Sequence, residues 1–428
     1  MKLGKRSGSA TIIAAALVAA AAGCSTEAPG SGTAAATPGS TAPASAAPGA
    51  EVKTDTGVEG DTIKLGVLTD LTGVFAALGA DITNANQLYW EKANAAGGVC
   101  NKYKVELDIQ DTGYVPQTGV TLYSGMKDNV LAMQQTIGSP INTALRDAYE
   151  GDTITNLPSA WARNLTEYEG NGVVGATYDI ETTNVLNYAL SKNLIKDGDK
   201  IGHIYFEGEY GANGLAGSKY MATKHKFQVL EQKIKPTDTD MTAAVTAFKA
   251  GGVKAILLTT APGQTASVAG VAAQLKLDVP ILGNNPVFAP GLLKGPAAAT
   301  LKKSLIIASP FASFDKHPEL LKDYTAKFPN VTPSLGVVFG TGMSEVMKQI
   351  LDKACANGDL TRQGVLDAKK SLTDVDTGDL ITPLNFSKPN ESPSAQNFIL
   401  QPADVPGGVK LLQDEAFEGE DVKDFAAE

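Results

Sequence analysis

The sequence predicts an α/β protein built as two doubly wound parallel-sheet lobes. Three observations carry that expectation. Short β-like runs alternate with helical stretches of roughly 10–15 residues, a spacing that specifies parallel sheets covered by helices on both faces. The alternation pauses near residue 150 and restarts past Tyr178, so two such runs follow one another. Once a leader and a low-complexity segment are set aside, about 370 of the 428 residues remain to fold, which suits two domains better than one.

The leader comes first. Lys2, Lys5 and Arg6 precede an alanine-rich run over residues 10–22 that is too short to span a bilayer and ends in small residues. That pattern marks residues 1–23 as a cleaved export signal. Ala21-Ala22-Gly23-Cys24 reads as a lipobox, in which Cys24 is acylated through sulfur and becomes the new N-terminus. Ordinary cleavage after Ala22 or Gly23, leaving a free thiol, is the alternative. Residues 24–60 are almost entirely Ala, Pro, Gly, Ser and Thr, with too few large apolar groups to offset ordering, and are expected to form a disordered stalk. The body is thus expected to be exported and held by lipid at the outer face of the bacterial cell membrane.

Residues 63–69 (IKLGVLT) then read as a buried strand, followed by a glycine-containing loop and a helix over 80–96. A second strand at 103–110 precedes a helix after Pro116; a third at 131–137 precedes a helix over 143–150. The restart gives a helix to 194, then strands at 201–206, 228–234, 255–259 and 280–282, separated by helices over 212–224, 242–250 and 265–275. In the last third, a strand at 304–308 is followed by helices over 319–328, 337–356 and 361–372 and short strands at 382–387 and 395–400. These are too few strands for a third sheet, so the pieces complete the two lobes and the chain crosses between them several times.

Composition excludes several functions. The net charge of −10, without a basic cluster, argues against nucleic acid and against an anionic lipid surface as ligand. His203, His225 and His317 lie in different segments without ligand spacing, so no metal site is expected. Neither a G-x-S-x-G nor a Walker pattern occurs. Gly208, Gly211, Gly214 and Gly217 are spaced by threes, unlike a dinucleotide fingerprint, so they read as close helix packing with no cofactor. Beyond Cys24 only Cys100 and Cys355 remain, which in an oxidising compartment suggests one disulfide; two unrelated buried thiols are the alternative.

Motifs in a fixed order add a resemblance. DTIKLGVLTDLTGVFAALGADI, EKANAAGGV, TIGSPINTALRDAYE, LPSAWARNLT, KIGHIYFEGEYGANGLAG and ILGNN follow one another between Asp61 and about Leu400. Over that length the chain resembles the periplasmic-binding-protein-like receptors of the branched-chain amino acid (leucine/isoleucine/valine) type, the solute-binding subunits of ABC importers. The resemblance implies a type I periplasmic binding protein fold with three hinge crossings, near Tyr178, Pro310 and Leu380. Residues 61–177 and 310–380 would form lobe 1, and 178–309 and 381–428 lobe 2. Cys100 and Cys355 would both fall in lobe 1. It further implies a monomer without enzymatic activity that traps a small molecule between the lobes and delivers it to ABC permease subunits. Its only membrane contact would be the N-terminal lipid. An extracellular sensor of the same fold, presenting ligand to a signalling partner, is the competing reading.

The resemblance also nominates site residues. Ser139 would hold a ligand carboxylate and can equally cap a helix. Ser159, Ala160 and Trp161 would form a loop on the same group, with Trp161 standing in place of the usual threonine. Tyr210 would stack on the ligand, and Asn285 occupies the place where amino acid binders carry a glutamate for the ammonium. Leu78 and Tyr178 are further cleft candidates, and Arg163 could clamp an acid group. A neutral Asn285 cannot pair with a buried ammonium. Asp179, Glu207 or Glu209 could substitute, which keeps an amino acid possible. The balance favours an acid or amide with a hydrophobic or aromatic body, held at Ser139 and stacked between Trp161 and Tyr210.

Overall fold

The computed structural model describes residues 52–425; the export signal, Cys24 and the stalk up to residue 51 lie outside the described residues. The strands are β1 (Lys53–Thr54), β2 (Val58–Glu59), β3 (Thr62–Thr69), β4 (Lys104–Asp111), β5 (Ala132–Ile137), β6 (Asn156–Ser159) and β7 (Lys200–Phe206). They continue as β8 (Gln228–Ile234), β9 (Ala255–Thr259), β10 (Ile281–Gly283), β11 (Leu305–Ser309), β12 (Asp359–Leu360), β13 (Phe398–Pro402) and β14 (Val409–Leu411). The helices are α1 (Ala76–Ala95), α2 (Pro116–Met126), α3 (Ser139–Gly151), α4 (Tyr178–Ser191), α5 (Glu209–His225) and α6 (Thr242–Gly251). After them come α7 (Pro262–Gln274), α8 (Ala298–Ser304), α9 (Pro318–Lys327), α10 (Gly336–Ala356), α11 (Arg362–Lys370) and α12 (Glu420–Phe425).

Two sheets organise the molecule. In the first, β3 pairs in parallel with β4 and β5, and β6 follows β5. In the second the order is β14-β13-β11-β10-β9-β7-β8, parallel from β8 to β11 and antiparallel at the β13 and β14 edge. β5 and β9 are buried throughout, as expected of parallel strands covered on both faces.

The first lobe is tied internally by a buried polar network. Asn86 of α1 donates to Gln135 of β5 at 2.6 Å and accepts from Ser344 of α10 at 2.9 Å, while Trp90 donates to Gln134 at 3.1 Å. Buried amides need partners, and here they fix the register of two helices against one strand. Asp81 of α1 similarly accepts from Tyr324 of α9 at 2.7 Å and from the backbone N–H of Ser334 at 2.7 Å. Burial raises the Asp81 pKa against these bonds, which lower it. Asp81 therefore locks α9 and the loop before α10 against α1.

Two sequence expectations need correction. Residues 52–60, taken from composition as stalk, belong to the folded body: β1 pairs with β12, β2 pairs with β3, and Lys64 donates to the Gly57 carbonyl. The segment 382–387 is not a strand. Pro383 lacks an N–H, and only the isolated bridges Phe311↔Ile381 and Val375↔Leu384 form nearby. Leu384 and Phe386 pack in the same cluster as Val173 and Phe311, and the chain joins the second sheet at Phe398. β6, β14 and α8 escaped the sequence reading because each is short and carries little periodicity.

The Cys100 and Cys355 sulfurs are bonded, joining the loop before β4 to the end of α10 across a sequence separation of 255. Closing so long a loop restricts the unfolded chain and contributes about 3–5 kcal/mol. The Cys100→Ser/Cys355→Ser variant should lose about that much stability in urea denaturation and keep its ligand affinity. A stability unchanged from the parent would contradict this assignment.

Candidate functional site

Strands of both sheets end at one crevice, as loops do in open parallel sheets. The β3 end delivers Phe75: Asp70, fully buried, accepts from the N–H groups of Gly73 at 2.5 Å and Phe75 at 2.9 Å, turning the chain so that the ring faces inward. The β5 end delivers Ser139 through Gly138, whose φ of +98° only glycine adopts freely and whose added Cβ would strike the Tyr114 ring at 2.6 Å. The β6 end supplies Ser159 and Trp161. From the second lobe come Tyr178 at the start of α4, Tyr210 on α5, and Asn285, Phe288 and Pro290 beyond β10.

These side chains enclose about 780 Å³ of space, its mouth included. Among the described residues, no Asp, Glu, Lys, Arg or His lines it. The wall is chiefly apolar, including Phe75, Ile82, Trp161, Phe288, Phe311 and Phe339. Trp161 lies 4.8 Å from Phe339 and 5.8 Å from Tyr178 between ring centroids, and its indole N–H is already donated to the Val174 carbonyl at 2.9 Å. It offers the cavity only apolar surface. Tyr178 and Tyr210 are 4.4 Å apart, and Tyr210 donates to the Thr260 carbonyl at 3.1 Å.

Two polar groups stand apart. The hydroxyls of Ser139 and Ser159 are buried and make no hydrogen bond of good geometry within the protein, although the Tyr178 hydroxyl stands close to Ser139. Ser139 is the first residue of α3 rather than its cap; Gly138 holds the cap position, and no side-chain cap bond forms there. Both hydroxyls therefore face a cavity at a helix N-terminus, where an oxygen-rich anionic or hydrogen-bonding group is favoured.

Ser139, Ser159, Trp161, Tyr178, Tyr210, Asn285 and Leu78 all line this cavity. Ala160 and Arg163 do not. Ala160 is fully buried between its neighbours, and Arg163 instead pairs with Asp179, whose carboxylate also accepts from Thr177. Glu207 and Glu209 are likewise absent from the wall. The acid near the ligand space is one the sequence did not single out. Glu181, fully buried on α4, accepts from the Asn285 backbone N–H at 2.9 Å and from its side-chain amide at 2.7 Å. Burial pushes the Glu181 carboxyl up to about 8, while the Asn285 and Asn284 amides pull the other way. Behind it, Asn284 donates to Thr182 at 3.2 Å and accepts from Thr259 at 3.0 Å. Thr259 bonds in turn to His203 at 2.9 Å, whose pKa burial lowers to about 3. Asn285 is thus held from behind by a buried hydrogen-bond network.

The profile of the periplasmic binding protein family matches residues 62–405. The Leu/Ile/Val-binding protein homolog 3 of Brucella melitensis is 28% identical over 203 residues, 45% of this chain and 53% of the relative, so the match spans about half that relative's length. A solved structure titled as a fatty acid ABC transporter substrate-binding protein from Thermomonospora curvata is 40% identical. It superposes with a TM-score of 0.85 over 88% of this chain and 97% of that one. A branched chain amino acid ABC transporter protein from Thermus thermophilus, solved with bound valine, shares the fold at a TM-score of 0.75 and 16% identity, covering 87% and 100%.

The raised Glu181 pKa has a pH consequence. Its protonated form favours folding fully below the ordinary value of 4.5, and that stabilisation is lost as pH rises toward about 8. Urea denaturation of Glu181→Gln beside the parent should therefore show the variant gaining relative stability steadily between pH 5 and pH 8. A difference independent of pH would contradict a neutral buried carboxyl.

Proposed function

This chain belongs to the periplasmic binding protein family, and we propose that it is the lipid-anchored extracytoplasmic receptor of an ABC importer for acids with an extended apolar body. Fatty acids are the type. The single observation that carries this reading is an apolar cavity whose lining holds no charged residue and presents the hydroxyls of Ser139 and Ser159. A zwitterionic amino acid would bring an ammonium into that space. The group at the expected carboxylate position is Asn285, whose amide is engaged by Glu181, and the burial of Glu181 favours its neutral form. An ammonium would remain unpaired there, at a cost of several kcal/mol. A carboxyl group, by contrast, meets Ser139, Ser159 and the start of α3, while its hydrocarbon meets aromatic and aliphatic walls. The 40% identity to a protein titled as a fatty acid receptor supports the same choice.

Capture works by lobe closure. Phe75 of the first lobe lies 6.4 Å from Tyr210 of the second, and such contacts across the seam exist only when the lobes are together. A ligand that buries apolar surface on both lobes shifts the population toward this closed form, which a permease can distinguish from the open one. Segments 173–178, 309–312 and 386–398 carry the chain between lobes and serve as the hinges. Cys24, acylated and followed by the stalk, keeps a monomeric receptor at the membrane without constraining its cleft.

Calorimetric titration of delipidated protein tests the ligand class. Decanoate and hexadecanoate should bind with submicromolar affinity, while leucine, isoleucine, valine and phenylalanine should not. Ser139→Ala or Ser159→Ala should weaken the acids about five- to thirtyfold, the worth of one hydrogen bond of roughly 1–2 kcal/mol. Submicromolar binding of any of the four amino acids would overturn this reading.

A further inference from the structure

A second apolar depression lies on the surface along the seam between lobes. Pro318, Leu321, Lys322 and Thr325 of α9 with Thr332 and Pro333 form its first-lobe side, and Val405 and Pro406 of the β13–β14 connection face them, so the wall is mainly apolar with the Lys322 side chain among it. It holds about 870 Å³ of space open to solvent, and Val405 is 37% exposed. Pro290 and Gly407 line both this groove and the ligand cavity. The partition between the two is therefore only one residue thick.

Backbone forms most of that partition. The connection is a tight turn in which Ala403 donates to the Gly408 carbonyl at 2.8 Å and Gly408 to the Val405 carbonyl at 2.9 Å. Gly407 and Gly408 follow each other at φ of +79° and +74°, a region that favours glycine. A Cβ on Gly407 would stand 2.8 Å from the Phe314 ring, and one on Gly408 would stand 3.0 Å from Pro290. Neither glycine projects a side chain that could bar the way. The facing wall is held independently, because Asp81 anchors both α9 and the Ser334 loop. Small separation of the turn from α9 joins cavity and groove into one channel. Solvated apolar surface beyond the partition gives a hydrocarbon chain reason to follow it.

We propose that the ligand is a long-chain acyl carboxylate whose tail leaves the cavity between Pro290 and Gly407 and lies in this groove. The inference rests on the reading of the cavity as a receptor for apolar acids. It adds that the cavity sets no upper limit on chain length, since carbon beyond its capacity is still taken from water by α9 and Val405. An enclosed cavity would instead reject chains above a fixed length.

Titration of octanoate and hexadecanoate into the parent protein, Val405→Asp and Thr325→Asp separates these cases; thermal unfolding confirms folding of each variant. A carboxylate added to the apolar part of the groove should weaken hexadecanoate by about tenfold or more, the worth of two buried methylenes at about fourfold each. Octanoate, too short to reach the groove, should change less than twofold. Equal loss for both acids, or no loss for either, overturns the exit while leaving the receptor reading in place. Failure of the parent to bind either acid overturns both.

Discussion

The hydroxyls of Ser139 and Ser159 belong to the lining of the ligand cavity, are buried, and make no hydrogen bond of good geometry within the protein, the Tyr178 hydroxyl being the neighbour that approaches Ser139. A buried hydroxyl left unpaired costs on the order of 1–3 kcal/mol, so a ligand oxygen that bonds to these serines is favoured. The rest of the site is arranged around that need. Gly138 lets the chain turn sharply enough to place Ser139 at the head of α3, and Asp70 folds the preceding loop so that Phe75 caps the space. Because no cation among the described residues lines the cavity, the donors it offers are neutral hydroxyls and the helix terminus. A site of this kind selects by shape and hydrocarbon burial more than by charge.

The same logic explains where charge was placed. Asp179 is committed to Arg163, outside the cavity, and Glu181 is turned away from it toward Asn285. His203, Thr259 and Asn284 continue the polar network behind that asparagine. A fixed Asn285 with one amide already engaged presents a limited hydrogen-bonding edge, a weaker discriminator than a carboxylate. Specificity then comes from the aromatic faces of Trp161, Phe311 and Phe339, which share one cluster across the hinge. Closure of the lobes and burial of the ligand are thus one event.

Much of the fold was legible from periodicity. The core strands and long helices alternate cleanly, and most of the nominated site residues, Ser139, Trp161, Tyr210 and Asn285 among them, sit at strand ends where parallel sheets place ligands. What stayed hidden has physical reasons. Residues 52–60 look like linker in composition, yet Val58 and Gly57 make main-chain pairs with β3 that no side-chain pattern announces. Glu181 lies in a helix buried on every side, so amphipathic patterning gave it no distinction. Arg163 looked like a clamp because arginine is scarce, but its partner is Asp179, 16 residues further along the chain at the start of α4. The part of the cavity wall built from Pro290, Leu400, Gly407 and Val409 assembles from segments that only the tertiary fold brings together.

The central claim is that a carboxyl head group sits at Ser139 and Ser159 in a cavity without cations. Carbon-13 NMR of carboxyl-labelled decanoate bound to the protein tests it directly. A single shifted carboxyl resonance is expected, titrating at a pH above that of the free acid because burial without a cation disfavours the carboxylate. That resonance should move or vanish in the Ser139→Ala/Ser159→Ala variant. A bound resonance that titrates as in water and is indifferent to both serines would contradict the account.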